Sequence, residues 1–138
     1  MNVKRALFLV LIGAIVMMMG CGSKYSDLVE VNTKFINAME DYITATGKAT
    51  SAKDVAKAVN EYADQLEKLA PQIKKVRGKY PELKNTTTVP EELKSIEQKA
   101  KGLEKKVAES YMNMMKYMMD PEVQAAQQKL QKAMLDMR

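Results

Sequence analysis

Apolar residues recur along most of the chain at the three- and four-residue steps of a single helix face, and period-two runs of β-branched residues are missing. The first such face covers about 24–46. Leu28, Val31, Phe35, Ala38, Tyr42 and Ala45 form its seam, with Val29, Ile36 and Ile43 in a second row beside it. A stripe this wide suits a helix packed against two neighbours. Gly47 supplies a stop. Ser51-Ala52-Lys53-Asp54 has the form of a capping box with Asp in place of Glu, and it opens a second helix over about 51–80. Val55, Val59, Tyr62, Leu66, Leu69, Ile73, Val76 and Tyr80 hold the seam of that helix without a missed step. Pro71 lies inside it, and the unbroken rhythm predicts a bend rather than a break.

Pro81 ends the second helix, and residues 81–88 form the longest loop. Thr88-Val89-Pro90-Glu91 reads as a second capping box with proline in the first turn. The third helix then runs over about 89–119 through Leu93, Ile96, Ala100, Leu103, Val107, Tyr111, Met114 and Met118. Asp120-Pro121-Glu122 combines a cap, a first-turn proline and an acid at the positive end of the helix dipole. It opens a fourth helix over about 121–137, with Val123, Ala126, Leu130, Ala133, Met134 and Met137 on one face. Short connections favour antiparallel neighbours, so the expected fold is all-α, an up-down antiparallel bundle of four helices with the last one short. The alternative is three long helices with a kink near Pro121. The two longest helices would each span about 45 Å at 1.5 Å per residue, and their heptads also suit coiled-coil self-association.

Residues 1–20 have a different character. Lys4 and Arg5 are followed by fourteen residues without a charge, Ala6 to Met19, and then by Gly20, Cys21, Gly22 and Ser23. A basic start, an apolar stretch and a small residue before the cut describe a secretory signal. The stretch is short for a spanning helix, which needs about 20 apolar residues; an uncleaved anchor is the other reading. Met18-Met19-Gly20-Cys21 resembles the lipobox of bacterial lipoproteins, although Met18 and Met19 replace the usual Leu and small residue. The resemblance covers only the leader and its junction. It implies that the Cys21 thiol takes a diacylglycerol group, that the leader is removed, and that the new amino terminus is acylated, for example with palmitate. Several acyl chains give stable membrane anchoring where one does not. Gly22 rather than Asp after the cysteine implies the outer membrane if the cell is Gram-negative. The expected organisation is therefore a signal peptide at 1–20, a lipidated cysteine with a short tether at 21–23, and a helical domain at 24–138.

Export changes the meaning of charge. The 138-residue chain carries 22 Lys plus Arg against 17 Asp plus Glu, a net +5. Losing Lys4 and Arg5 with the leader lowers this to +3. Interspersed charge on an exported chain does not support nucleic-acid binding. Most charges lie opposite the seams, as in the four-residue pairs Glu30 with Lys34, Asp64 with Lys68 and Glu97 with Lys101, which read as solvated faces. The chain has no His, and its one Cys is assigned to lipid. The commonest general base, the commonest metal ligand and any Cys or Ser triad are therefore missing. The expected role is non-enzymatic: binding a protein partner or scaffolding at the cell envelope.

Two patches carry candidate chemistry. Five methionines fall within residues 112–119. At about 100° per residue, Met114 and Met118 continue the seam while Met112, Met115 and Met119 make a second stripe. One reading packs that stripe against the fourth helix, with Met134 and Met137, since methionine fills irregular gaps. A second makes it an adaptable surface for apolar partners. A third makes the three thioethers a soft site for Cu(I) or Ag(I). The other patch is Lys74, Lys75, Arg77 and Lys79 at the end of the second helix. These residues suit the negative end of the helix dipole. In an up-down bundle they also return to the end that carries Cys21, where anionic headgroups would attract them.

Overall fold

The computed structural model describes residues 24–84 and 89–137. The expected signal peptide, Cys21 and its tether lie outside the described residues, as do the Asn85-Thr86-Thr87-Thr88 part of the loop and Arg138. Four α-helices account for the fold: α1 (Ser26–Lys48), α2 (Ala52–Lys79), α3 (Glu91–Met114) and α4 (Pro121–Asp136). Single 3₁₀ turns follow α2 at Pro81–Lys84 and α3 at Met115–Tyr117. No strand occurs among the described residues.

The caps form where two of the sequence signals put them. The Ser51 hydroxyl accepts from the Asp54 N–H at 3.1 Å, and the Asp54 carboxylate accepts from the Ser51 hydroxyl at 2.8 Å and the Thr50 N–H at 3.2 Å. Asp120 accepts from the Glu122 N–H at 2.9 Å, with Pro121 in the first turn of α4. Each such cap satisfies an amide that the helix itself leaves unpaired. Glu91 begins α3 with Pro90 at the cap position, and Thr88, the expected capping residue of that helix, lies outside the described residues. α2 continues through Pro71, which stands on the exposed face, so the carbonyl left without its usual N–H partner is open to solvent.

Direction follows from cross-helix pairs. Asp27 meets Lys79, and Tyr42 stacks on Tyr62 with ring centroids 4.7 Å apart, so α1 and α2 are antiparallel. The last turn of α3 meets the last turn of α1, where Asn113 donates to the Thr46 and Ala49 carbonyls, and Leu93, Ile96 and Leu103 share the core that α1 lines, so α3 runs with α1. Lys129 meets Asp64 and Arg77 meets the Met137 carbonyl, so α4 runs with α2. The fold is thus the expected up-down bundle of four helices. The three-helix alternative fails, because α3 stops at Met114 and α4 restarts at Pro121 along a different helix.

The neighbours differ from those of a closed square. α2 packs most extensively on α4 and then on α1, whereas α3 packs mainly on α1. All eight predicted seam residues of α2 are buried. Ala56, Ala63 and Ala70, seven residues apart, are buried beside them, and α4 contributes buried Ala126 and Ala133. Small side chains on both helices allow a close approach. The main core runs from Tyr25 and Leu28 through Leu66, Ile73 and Tyr80 to Leu93 and Leu103. A second cluster joins Ala49, Val55, Val59, Met114, Val123 and Ala126, and Tyr42 and Leu130 pack against both.

The seam of α3 departs from its sequence reading. Val107 is 42% exposed and Tyr111 49% exposed, while Ser110 is buried. On α1, Ala45 is exposed and Thr46 is buried. The cause is a polar contact: the Thr46 and Ser110 hydroxyls are hydrogen-bonded to each other, and the Thr46 hydroxyl also donates to the Tyr42 carbonyl at 2.7 Å. Satisfying both hydroxyls turns Ser110 rather than Tyr111 onto α1. Leu66→Ala is expected to cost about 2–5 kcal/mol, as for a fully buried leucine. Val107→Ala, at a seam position by sequence alone, is expected to cost under about 0.5 kcal/mol. Urea denaturation of the two variants measures this contrast directly.

Candidate functional site

Chemistry-bearing residues gather at the two ends of the bundle. The proximal end is where the described chain begins, at Lys24. The Tyr80 hydroxyl donates to the Lys24 carbonyl at 2.7 Å and also contacts the Asp27 carboxylate. Lys79 pairs with Asp27 at 2.6 Å, and Lys24 pairs with Glu82 at 2.7 Å. The Tyr25 and Tyr80 rings meet edge to face with centroids 5.1 Å apart. Lys24 lies over the Tyr25 ring and Lys79 over the Tyr80 ring, at 5.0 and 5.2 Å. This clasp fastens the start of α1 to the end of α2. Burial alone pushes the Asp27 carboxyl up. The Lys79 ammonium, the Tyr80 hydroxyl and the Leu28 N–H outweigh it and hold Asp27 below its ordinary value. The hydrogen bond from Lys79 to Asp27 in turn raises the Lys79 ammonium.

The four basic residues of the expected patch therefore divide. Lys79 belongs to the clasp. Arg77 is half-buried and donates from Nη1 to the Met137 carbonyl at 2.7 Å, closing the carboxyl end of α4; that burial pulls its guanidinium below the ordinary value. Lys74 and Lys75 are exposed. Of the expected helix-face ion pairs, Glu30 with Lys34 and Glu97 with Lys101 form at 2.6 Å each, while Asp64 pairs with Lys129 of α4.

The distal end is built around Asn113. Its Nδ2 donates to the Thr46 carbonyl at 2.9 Å and the Ala49 carbonyl at 3.0 Å, so an α3 side chain closes the last turn of α1. Lys116 donates to Asn113 Oδ1 at 3.0 Å. α3 ends one residue later, at Met114, and the next three residues form a tighter 3₁₀ turn. Met114 is buried and its sulfur accepts from the Tyr42 hydroxyl at 3.4 Å. Met118 is partly buried and its sulfur accepts from Gln127 Nε2 at 2.7 Å.

The other three methionines do not pack against α4. Met112 is 68%, Met115 53% and Met119 86% exposed, and Met134 of α4 is 47% exposed; of the two α4-end methionines, Met137 joins the core and Met134 does not. The reason is the open arrangement: α3 leans on α1, and α4 spends its apolar face on α2. The end of α3 at Met114 also interrupts the helical spacing, so one continuous α-helical face does not carry the sulfurs of Met112, Met115 and Met119.

An open groove of about 430 Å³ runs between α2 and α4, lined by Lys53, Lys57, Asn60, Glu122 and Lys129 over an alanine floor. Glu61 faces Lys57 at 3.8 Å and Asp64 holds Lys129, so the groove carries little net charge. Among the described residues no group of His, Cys, Asp and Glu is arranged to hold a metal, and no helix is long and apolar enough to cross a membrane. Apolar counting passed over Asn32, which is fully buried in α1 with neither side-chain polar atom paired, although Leu28, Val29, Phe35 and Ile36, three and four residues to either side, centre it on the apolar stripe. No protein-family model, curated protein or solved structure matches the chain.

The clasp predicts a pH dependence. The pKa of Asp27 is lower folded than unfolded, so its stabilisation is present above the unfolded value, about pH 4. It is lost as pH falls through the lower folded value. Urea midpoints measured between about pH 5 and pH 2 should therefore fall less steeply for Asp27→Asn than for the parent.

Proposed function

We propose that this protein is a lipid-anchored component of the bacterial cell envelope, attached through Cys21, and that it acts by binding an apolar protein segment rather than by catalysis. The observation that carries this reading is the exposure of Tyr111, Met112, Met115 and Met119 at the end of the bundle opposite Lys24. Exposed apolar side chains grouped at one place mark interaction surfaces. Thioethers suit such a surface because they are unbranched and polarisable and repack around different partners.

The topology supports an upright orientation. Cys21 stands three residues before Lys24, a reach of about 10 Å if extended. α1 has 23 residues and rises about 34 Å at 1.5 Å per residue. The methionine end would then face away from the membrane, with the outer membrane as the proposed site in a Gram-negative cell. Lys74 and Lys75 would face the leaflet, where each basic residue near an anionic surface contributes about 1 kcal/mol. Arg77 and Lys79 would add their charge from within the clasp.

A chain with Cys21→Ser should lose labelling by an alkynyl fatty acid in cells and leave the membrane fraction or stall as precursor. Labelling that survives the substitution would overturn the anchor. Photo-crosslinkers at positions 115 and 119 should trap an adduct of one defined mass, while one at Lys106 should not. Their exposure also favours a second reading, in which Met112, Met115 and Met119 capture Cu(I) or Ag(I). Silver titration followed by native mass spectrometry tests it. Stoichiometric binding lost on triple substitution to Leu would favour metal, and no binding would remove that reading.

A further inference from the structure

Methionines and aliphatic residues are distributed differently in this bundle. The cores are built mainly from Leu, Val, Ile and Ala. Four of the seven exposed large apolar side chains among the described residues are Met: Met112, Met115, Met119 and Met134. Three of these four fall within eight residues at the distal end. None of those three belongs to, or packs against, either core cluster. The methionines that do support the fold are shielded. Met114 is 7% and Met137 4% exposed, and the sulfurs of Met114 and Met118 already accept hydrogen bonds from Tyr42 and Gln127.

We propose that Met112, Met115 and Met119 form an oxidation site that makes the distal end polar without unfolding the bundle. The co-reactant is a hypohalous acid or a hydroperoxide. With hypochlorous acid, the thioether sulfur gives up two electrons and gains the oxygen, forming a sulfoxide. The acid is reduced to chloride and a proton is released. Each conversion replaces an apolar, flexible side chain with a polar one, and a thiol-dependent sulfoxide reductase returns it to the thioether with loss of water. Because susceptibility follows exposure, the three react ahead of Met114, Met118 and Met137. Because they carry no core packing, the helices survive. As regulation of the apolar surface, this inference rests on the binding reading above; as chemistry, it stands on exposure alone.

The test treats the full chain, purified from membranes, with increasing hypochlorous acid. Sulfoxide is mapped at each methionine by peptide mass spectrometry, and helix content is followed by circular dichroism. At low dose, sulfoxide at 112, 115 and 119 should exceed that at 114, 118 and 137 by about tenfold or more, with the helical signal unchanged. Met134, exposed at the other end, serves as a lone-thioether reference. A chain with all three replaced by Leu should keep its helical signal over the same doses. Early oxidation of Met114 or Met137, loss of helix at the dose that oxidises the three, or no reaction at the three would each overturn the site. Those results would leave the crosslinking at positions 115 and 119 intact, so failure of this inference and failure of the binding reading are told apart.

Discussion

The fold depends on one helix with two buried faces. α2 offers a large-residue seam and, beside it, the alanine row Ala56, Ala63 and Ala70, and its chief neighbours are α4 and α1. Burial of that wide stripe supplies the non-directional stabilisation, and the small side chains set how closely α4 approaches. α1 is held at both ends by directional contacts. At its start, Tyr80 and Lys79 hold Lys24 and Asp27; at its finish, Asn113 holds the carbonyls of Thr46 and Ala49. α3 is the least enclosed element and leans on α1 with much of its far half in solvent.

The open arrangement follows from how the apolar surface is shared. α4 is short, and its buried residues Val123, Ala126 and Ala133 are spent against α2. The large apolar side chains that α4 leaves exposed, Met134 and Leu135, lie near its carboxyl end, away from the uncovered far half of α3. Val107, Tyr111 and the methionines beyond them remain uncovered as a consequence. The same packing that makes α2 the spine therefore leaves an apolar end, and it lies opposite the end where Lys24 enters the fold. Anchoring and binding, as proposed, use different ends of one rigid element and do not compete for the same side chains.

What could be read from the chain divides along physical lines. Helix starts written in local chemistry, Ser51 with Asp54 and Asp120 with Pro121, were legible because a cap needs only its own first turn. The α2 seam was legible because two neighbours bury it and every apolar step is used. The far half of α3 was not, because an apolar count does not see the Thr46–Ser110 hydrogen bond that decides which residue faces α1. Nor does it see that Asn113 ties the end of α3 to α1 just before the 3₁₀ turn. Met112, Met115 and Met119 fall on one stripe only if helical spacing is carried through residue 119, whereas the helix stops at 114. Asn32 escapes for a different reason: an apolar count skips a polar residue, although Leu28, Val29, Phe35 and Ile36 centre it on the buried stripe of α1.

As proposed, the bundle stands on the membrane by its Lys24 end and presents its methionines outward. The most direct measurement places the lipidated chain in nanodiscs carrying a gadolinium-chelating headgroup and reads relaxation at each backbone amide. In that orientation the amides of Lys24, Lys74 and Lys75 should broaden strongly and those of Met112, Met115 and Met119 not at all. Broadening at the methionines with sharp signals at Lys74 and Lys75 would contradict it.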